Sequence, residues 1–444
     1  MKGIGKNFII AFLMILAIYQ TAELWFEDFS SHNFFSFSDK ADFFKESDVK
    51  SHTLKRVIIN LGDNRMLSRS NGVYEGTWKK TLDQSVAKIL KKGEIVSDGA
   101  ADWKTILKNR CFVYEYDFVM GSEEIEDVFG VTGGNADRIK SCDTVVISTE
   151  NGVGRLRFVN SKTMWCLEIK MNDSFNDVNN VFATFSNSSD DLYYISSVQN
   201  GFEIFKGNVF IPRWDGQSTG YSYVSAEMQY DDLQDKTALE GEVNLFFENP
   251  AGKWSTTVND VINYSDETTV VKFYPQNVLE YSNYSTEGYG EDNDFYTNYM
   301  GALSLLEADA GVANEYYLRD WVFSNGEYKL YFGYKINDME VVMSEELLKK
   351  IGMKDYIEVT ASYGRVSNYK RYCTSYSVES GKSFVANRDF LTCVDEVYNG
   401  FEDAEGLVVD EISLSYVDDG GNEKIALSWL MDIDGKQYVK GAGG

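Results

Sequence analysis

Apolar positions along this chain follow three spacings, and each predicts a different element. The first is an unbroken run. Residues 8–19 read Phe-Ile-Ile-Ala-Phe-Leu-Met-Ile-Leu-Ala-Ile-Tyr, with no charged side chain. A helix that spans a bilayer needs about 20 mostly apolar residues to cross roughly 30 Å of hydrocarbon. Residues 8–25 approach that length, with a wetter last turn. Lys2 and Lys6 precede the run; Glu23, Glu27 and Asp28 lie at or beyond its far end. Basic residues stay on the cytoplasmic side. The expected arrangement is a cytoplasmic tail at 1–7, a membrane anchor at 8–25 and the bulk of the chain outside the cell. Tyr19, Trp25 and Phe26 suit the interfacial belt, where a ring is half buried and half wet. A cleaved secretory signal has an apolar core of similar length. Gln20-Thr21-Ala22 is a poor cleavage site, because the peptidase wants small residues at both flanking positions. Leu24, Trp25 and Phe26 also continue the apolar face beyond such a cut. An uncleaved anchor is therefore the expectation.

The second spacing is helical. Leu82, Val86, Ile89 and Leu90 recur at three- and four-residue intervals and predict a helix over 78–91. Further helices are expected at 101–109, 123–129, 173–185, 237–249, 295–310 and 383–398. The third spacing alternates. Residues 111–118, Cys-Phe-Val-Tyr-Glu-Tyr-Asp-Phe, read as a half-buried strand. More strands are expected at 56–61, 143–148, 154–159, 164–170, 202–211, 221–230, 261–264, 269–274, 278–281, 316–323, 327–336, 339–343 and 356–363. Asn151-Gly152 and Asp434-Gly435 mark two-residue hairpins. The second lies in a three-strand meander over 407–439, where Ile425, Leu427, Trp429, Met431 and Ile433 share a face. Helices set between groups of hairpins predict an α+β class. The aromatic, serine-rich stretch 26–51 reads as a juxtamembrane connector. Glycine and acidic residues at 282–294 mark a boundary. The expected fold is a transmembrane helix followed by about three extracellular α+β domains, each of antiparallel sheet with packed helices: 52–170, 171–290 and 291–444.

Composition narrows this picture. A chain that is 43% hydrophobic and 15% aromatic can build packed cores. Its three prolines exclude a proline-rich stalk. A formal charge of −27 disfavours nucleic acid, anionic lipid heads and acidic polymers as partners. The five cysteines, Cys111, Cys142, Cys166, Cys373 and Cys393, form no C-x-x-C pair, and their odd number argues against a disulfide framework. Most are expected as small buried hydrophobes; Cys373 with Cys393 is the first pairing to test.

Candidate chemistry is sparse. His32 and His52 are the two histidines. Gly216-Gln217-Ser218-Thr219-Gly220 matches G-x-S-x-G, but the histidine of such hydrolases follows the serine, and none follows His52. No H-E-x-x-H, Walker loop or dinucleotide fingerprint occurs. Asp432-Ile433-Asp434-Gly435 begins like a calcium loop, but its twelfth position would be Gly443 rather than glutamate. Glu291-Asp292-Asn293-Asp294 reads as a solvated acidic loop. No catalytic, cofactor-binding or metal-binding residue is assigned. Tyr193-Tyr194, Tyr316-Tyr317 and Tyr331-Phe332 read as strand cores and cross-strand pairs. The alternative is an aromatic platform on an anchored glycan-binding or glycan-hydrolysing surface protein.

Several segments together resemble the YycH family and its relative YycI. They are the N-terminal run into Glu23-Leu24-Trp25-Phe26; residues 88–98 with Trp103-Lys104-Thr105-Ile106-Leu107 and Phe112-Val113-Tyr114-Glu115-Tyr116; Phe246-Phe247-Glu248-Asn249-Pro250 with Tyr264-Ser265-Asp266 and Val278-Leu279-Glu280-Tyr281; and Phe332-Gly333-Tyr334-Lys335-Ile336-Asn337, Ile357-Glu358-Val359-Thr360 and the last meander. Residues 186–235 fit the resemblance poorly. The family implies a non-enzymatic, single-pass membrane regulator in Gram-positive bacteria. It would act on a two-component sensor histidine kinase that governs cell-wall metabolism, with a related regulator as a further partner. The membrane helix would contact the kinase's helices. Helices in lipid associate through small and polar groups, and Ala11, Ala17, Gln20, Thr21 and Ala22 offer such a face; the alternative is that they merely fill the span.

Overall fold

The computed structural model describes residues 52–443, apart from 64, 70–77, 173–174, 186–191, 214–220, 231–235, 286–289, 385, 387, 402–405 and 421–423. The candidate anchor and connector lie outside these residues. Among the described residues no helix is long and apolar enough to cross a membrane.

Two large sheets organise the chain. The first runs, edge to edge, through Glu94–Ala100, Trp165–Met171, Val153–Asn160, Cys142–Glu150, Cys111–Met120, Arg56–Asn60, Met66–Arg69, Leu192–Ser196 and Phe210–Pro212. All its pairings are antiparallel. Asn151 and Gly152 close the tightest hairpin with φ of 52° and 81°, the left-handed pair a type I′ turn requires. One face is covered by the helices Trp78–Lys92, Ser122–Phe129 and Asn176–Thr184, which bury Leu82, Val86, Ile89 and Phe182 against strand residues such as Phe112 and Leu156. The opposite face carries a smaller cluster of Ile58, Trp103, Val113, Val146 and Phe210. Each such side chain contributes about 1.5–3 kcal/mol when fully buried.

The second sheet runs through Trp254–Val258, Val261–Ser265, Thr269–Tyr274, Val278–Asn283, Arg365–Tyr372, Ile357–Ser362, Glu327–Ile336, Met339–Met343, Val409–Asp418, Lys424–Ile433, Tyr221–Met228 and Thr374–Phe384. Glu315–Ser324 adds to Glu327–Ile336, and Lys436–Gly441 adds to Lys424–Ile433. Its one parallel ladder joins Met339–Met343 to Val409–Asp418. The helix Phe295–Ala308 packs on this sheet. Asp294 caps it by accepting from the Thr297 amide at 2.7 Å, which satisfies one orphan donor of the first turn. Ten of its residues are buried, so it reads as apolar nearly all round rather than amphipathic.

The α+β class expected from the sequence is what these sheets and helices form. The sheets, however, divide the chain differently from the three segments read in the sequence. Leu192–Ser196 and Phe210–Pro212 belong to the first sheet, while the strands Tyr221–Met228, Trp254–Val258, Val261–Ser265, Thr269–Tyr274 and Val278–Asn283 belong to the second. Val278–Asn283 pairs with Arg365–Tyr372 across position 290, so one ladder crosses that boundary. The two sheets also share apolar contacts: Phe118 of the first lies 6.2 Å, centroid to centroid, from Phe295 at the start of the second sheet's helix.

Candidate functional site

The described chain begins at the place where the two sheets meet. Residues 52–55 run into the first strand of the first sheet, where the Lys55 amide donates to the Glu115 carbonyl at 2.9 Å, yet His52 and Leu54 bond to the second. The Leu318 amide donates to the His52 carbonyl at 2.7 Å. The His52 ring stacks on Tyr316 at 4.5 Å, with Nδ1 3.0 Å from the Tyr316 carbonyl oxygen. The buried Lys335 ammonium donates to the Leu54 carbonyl at 2.8 Å and lies 4.0 Å from the centre of the Tyr317 ring. Thr53 and Leu54 are each 2% exposed. Whatever precedes residue 52 is thus fastened to both sheets by one short segment.

Charged groups complete the joint. Lys55 Nζ lies 2.7 Å from Asp117, 2.5 Å from Glu411 and 3.6 Å from Glu340. Lys55 directly precedes the first strand of the first sheet and Asp117 lies in another of its strands; Glu340 and Glu411 come from strands of the second. The Tyr317 hydroxyl is within hydrogen-bond distance of Asp117 (3.1 Å) and Glu340 (2.7 Å). Arg319 pairs with Asp355 at 3.2 Å and lies 3.8 Å from Asp117. Burial pulls the Lys55 pKa down, but the charges of Asp117, Glu340 and Glu411 outweigh it and hold the ammonium well above its usual value. Burial also opposes ionisation of Glu340, yet Lys55 and Arg319 bring it down to about 2. Asp117 goes the other way: burial raises it more than Lys55 lowers it. Burial raises Asp355 to about 6 against the pull of Arg319.

Lys55, Asp117, Arg319, Glu340, Asp355 and Glu411 line a polar cleft of about 420 Å³ between the sheets, with Lys162, Asp320, Tyr331, Lys354, Asp432 and Gln437 around it. Its inner charges are occupied with one another. Lys55 pairs with a carboxylate set drawn from both sheets, and a buried charge without a partner is strongly unfavourable. Such an arrangement holds two bodies in one relative position.

A second joint lies further along, where the helix Ser122–Phe129 of the first sheet meets the start of Phe295–Ala308. Asp127 there faces Asp294 across the contact, and Glu123, Glu124 and Glu126 share its own helix. Burial first, then those negative charges, push its pKa up to about 7. Tyr328 feels three of these carboxylates, Glu124, Asp294 and Glu123, together with Asp127 itself.

The residues singled out in the sequence fall as follows. Ala11, Ala17, Tyr19, Gln20, Thr21, Ala22, Trp25, Phe26, His32 and Ser218 lie outside the described residues. His52 is bound into the joint, as described. Asp434 and Gly435, with φ of 53° and 71°, form the expected hairpin turn. Within 291–294, the Asn293 side chain donates to the Gly326 carbonyl at 3.0 Å and accepts from the Tyr363 amide at 2.9 Å, and Asp294 is a helix cap. All five cysteines are free and buried. No group of three or more His, Cys, Asp or Glu suited to a metal ion occurs among the described residues. The sequence reading missed the joint itself. Lys55, Asp117, Glu340 and Glu411 are ordinary charged residues in strands or beside them, and nothing in their spacing brings them together. One signal was available: Lys55 directly precedes a strand whose five residues, Arg56 first, are all buried, and a buried cation there needs carboxylates from elsewhere.

No family model matches the sequence, and no curated protein sequence matches it. Among solved structures, the chain is similar in fold to YycH from Bacillus subtilis, with a TM-score of 0.50 and 12% identity over 88% of this chain and 96% of that one. An uncharacterised protein from Eubacterium rectale matches with a TM-score of 0.34 and 13% identity, over 53% of this chain and 85% of that one.

Proposed function

We propose that this chain is a non-enzymatic, membrane-anchored extracellular regulator of a two-component sensor histidine kinase that controls cell-wall metabolism. The observation that carries the reading is the likeness in fold to YycH, which extends over both sheets rather than one module. The joint at residues 52–55 supports it. A regulator that signals through a membrane helix needs its outer body fastened firmly to the chain leaving the bilayer, and here that chain is hydrogen-bonded and ion-paired to both sheets.

In this reading residues 8–25 span the membrane with the N-terminus inside. Tyr19, Trp25 and Phe26 sit at the outer interface. Ala11, Ala17, Gln20, Thr21 and Ala22 form the face that packs against the kinase's helices, where small residues let backbones approach and Gln20 and Thr21 can hydrogen-bond across the contact. A related regulator is the second expected partner, bound through the outer domains.

The test exchanges residues 8–19 for an unrelated apolar helix in the full chain and reads kinase output with a reporter in cells. The expected result is loss of regulation with the outer domains still folded and at the surface. Regulation that survives the exchange contradicts the helix-contact mechanism.

A further inference from the structure

Sheet edges present unpaired backbone donors and acceptors, and proteins usually protect them with charge, proline, bulges or brevity. Most edges of this molecule are protected. Glu94–Ala100 has a bulge between Ile95 and Ser97; Glu94 lies 3.5 Å from Lys170, and Asp98 is bound by Lys140 and the Trp165 indole. Phe210–Pro212 is three residues long and ends in proline. Lys436–Gly441 carries Lys436 and Lys440. Glu315–Ser324 has a bulge between Leu318 and Asp320, and Thr374–Phe384 is irregular against its neighbour and carries Glu379.

Trp254–Val258 differs from all of these. It reads Trp-Ser-Thr-Thr-Val, with no charge and no proline, and all five residues are exposed. Its register with Val261–Ser265 is regular throughout, and a tight turn at Asn259 and Asp260 (φ of 50° and 63°) holds the hairpin. Trp254 is 52% exposed and Val258 59%. The preceding Lys253 is turned back, its ammonium bonded to Asn244 and to the Pro250 carbonyl. Among the described residues no segment pairs with the outer side of this strand.

We propose that this edge joins two copies of the chain, Trp254–Val258 pairing antiparallel with its counterpart about a two-fold axis at Thr256. Charge confines contact between two copies to a neutral patch. Each chain carries −27, so broad contact between two copies is repulsive; this edge brings five uncharged side chains against five uncharged side chains. The register is also self-complementary. Trp254 falls opposite Val258 of the second copy, an aromatic and β-branched pair that favours antiparallel sheet. Ser255 falls opposite Thr257, and Thr256 opposite itself. The pairing is isologous and closed, so it stops at a dimer. A five-residue strand buries less than a standard stable interface; the dimer is therefore weak in solution. The inference does not rest on the kinase reading.

The test follows sedimentation of the full-length chain, in mild detergent, over a wide concentration range. Wild type is expected to self-associate weakly. Thr256→Lys and Thr256→Glu each place like charges opposite one another at the axis, so each alone is expected to associate at least several-fold more weakly. An equal mixture of the two restores association, because Lys then faces Glu. Thr256→Cys is expected to form a disulfide-linked dimer under mild oxidation, the five native thiols being buried. The proposal is overturned if wild type shows no self-association, if either charged variant associates as wild type does, or if the mixture stays dissociated. Unchanged thermal unfolding of the variants shows that the fold is intact.

Discussion

Lys55 and Glu411, 356 positions apart in the chain, meet amine to carboxylate at 2.5 Å. With Asp117 and Glu340 on the same ammonium, the contact ties the start of the first strand of one sheet to two inner strands of the other. Removing Lys55 leaves three carboxylates facing each other at the joint. The expected cost of Lys55→Met is about 3 kcal/mol, since breaking a buried ion pair from one side exposes the full desolvation penalty of what remains. Urea unfolding of the variant against wild type measures it.

Asp127 gives the molecule an alkaline weakness. Its folded pKa is about 7 against an ordinary value of 3.8, so the folded state holds a proton that the unfolded state has released. Stability tied to this group therefore falls as pH rises from about 4 to about 7 and is flat above. Solvent reaches the side chain, which limits the effect to about 1 kcal/mol. Asp127→Asn is expected to raise the melting temperature at pH 8 and to leave it nearly unchanged at pH 4. Melting curves of both proteins across that range check the sign.

Glu340 acts in the opposite range. Held at about 2 by Lys55 and Arg319 against an ordinary value of 4.5, it contributes stability that is present above pH 4.5 and lost as pH falls toward 2. Glu340→Gln is expected to flatten the acid limb of the stability curve without altering the limb governed by Asp127. The two variants together separate the two joints.

Gly301 reverses a general rule. Alanine in place of a mid-helix glycine usually gains about 1 kcal/mol. Here a Cβ at position 301 would overlap the Gly364 carbonyl oxygen, a backbone atom that cannot turn aside. Gly301→Ala is expected to destabilise by about 1–3 kcal/mol through overpacking, read by urea unfolding.

Where pattern and fold agree, local periodicity was strong. The helices Trp78–Lys92 and Phe295–Ala308, the hairpin at Asn151-Gly152 and the C-terminal strands lie close to where spacing predicts them. Other strands were hidden by their composition. Arg365–Tyr372 contains Arg371, fully buried on Asp309 and Glu242, so a charged residue occupies a core position and the alternation disappears. Glu94–Ala100 and Trp254–Val258 are exposed along their whole length and show no buried face to read. The expected strand at 202–211 shrinks to Phe210–Pro212 with a single bridge at Phe205. The joint was illegible for a different reason: its residues lie in distant segments, and long-range ion pairs leave no periodic trace.

The proposed function depends on contact within the membrane between this chain and a sensor kinase. Photo-activated cross-linking from position 17 or 21 of the full chain in living cells, followed by mass spectrometry of the captured protein, tests that contact directly. The account predicts capture of a histidine kinase from Ala17 or Thr21; an absence of any captured kinase, or a mature protein that has lost its first two dozen residues, would contradict it.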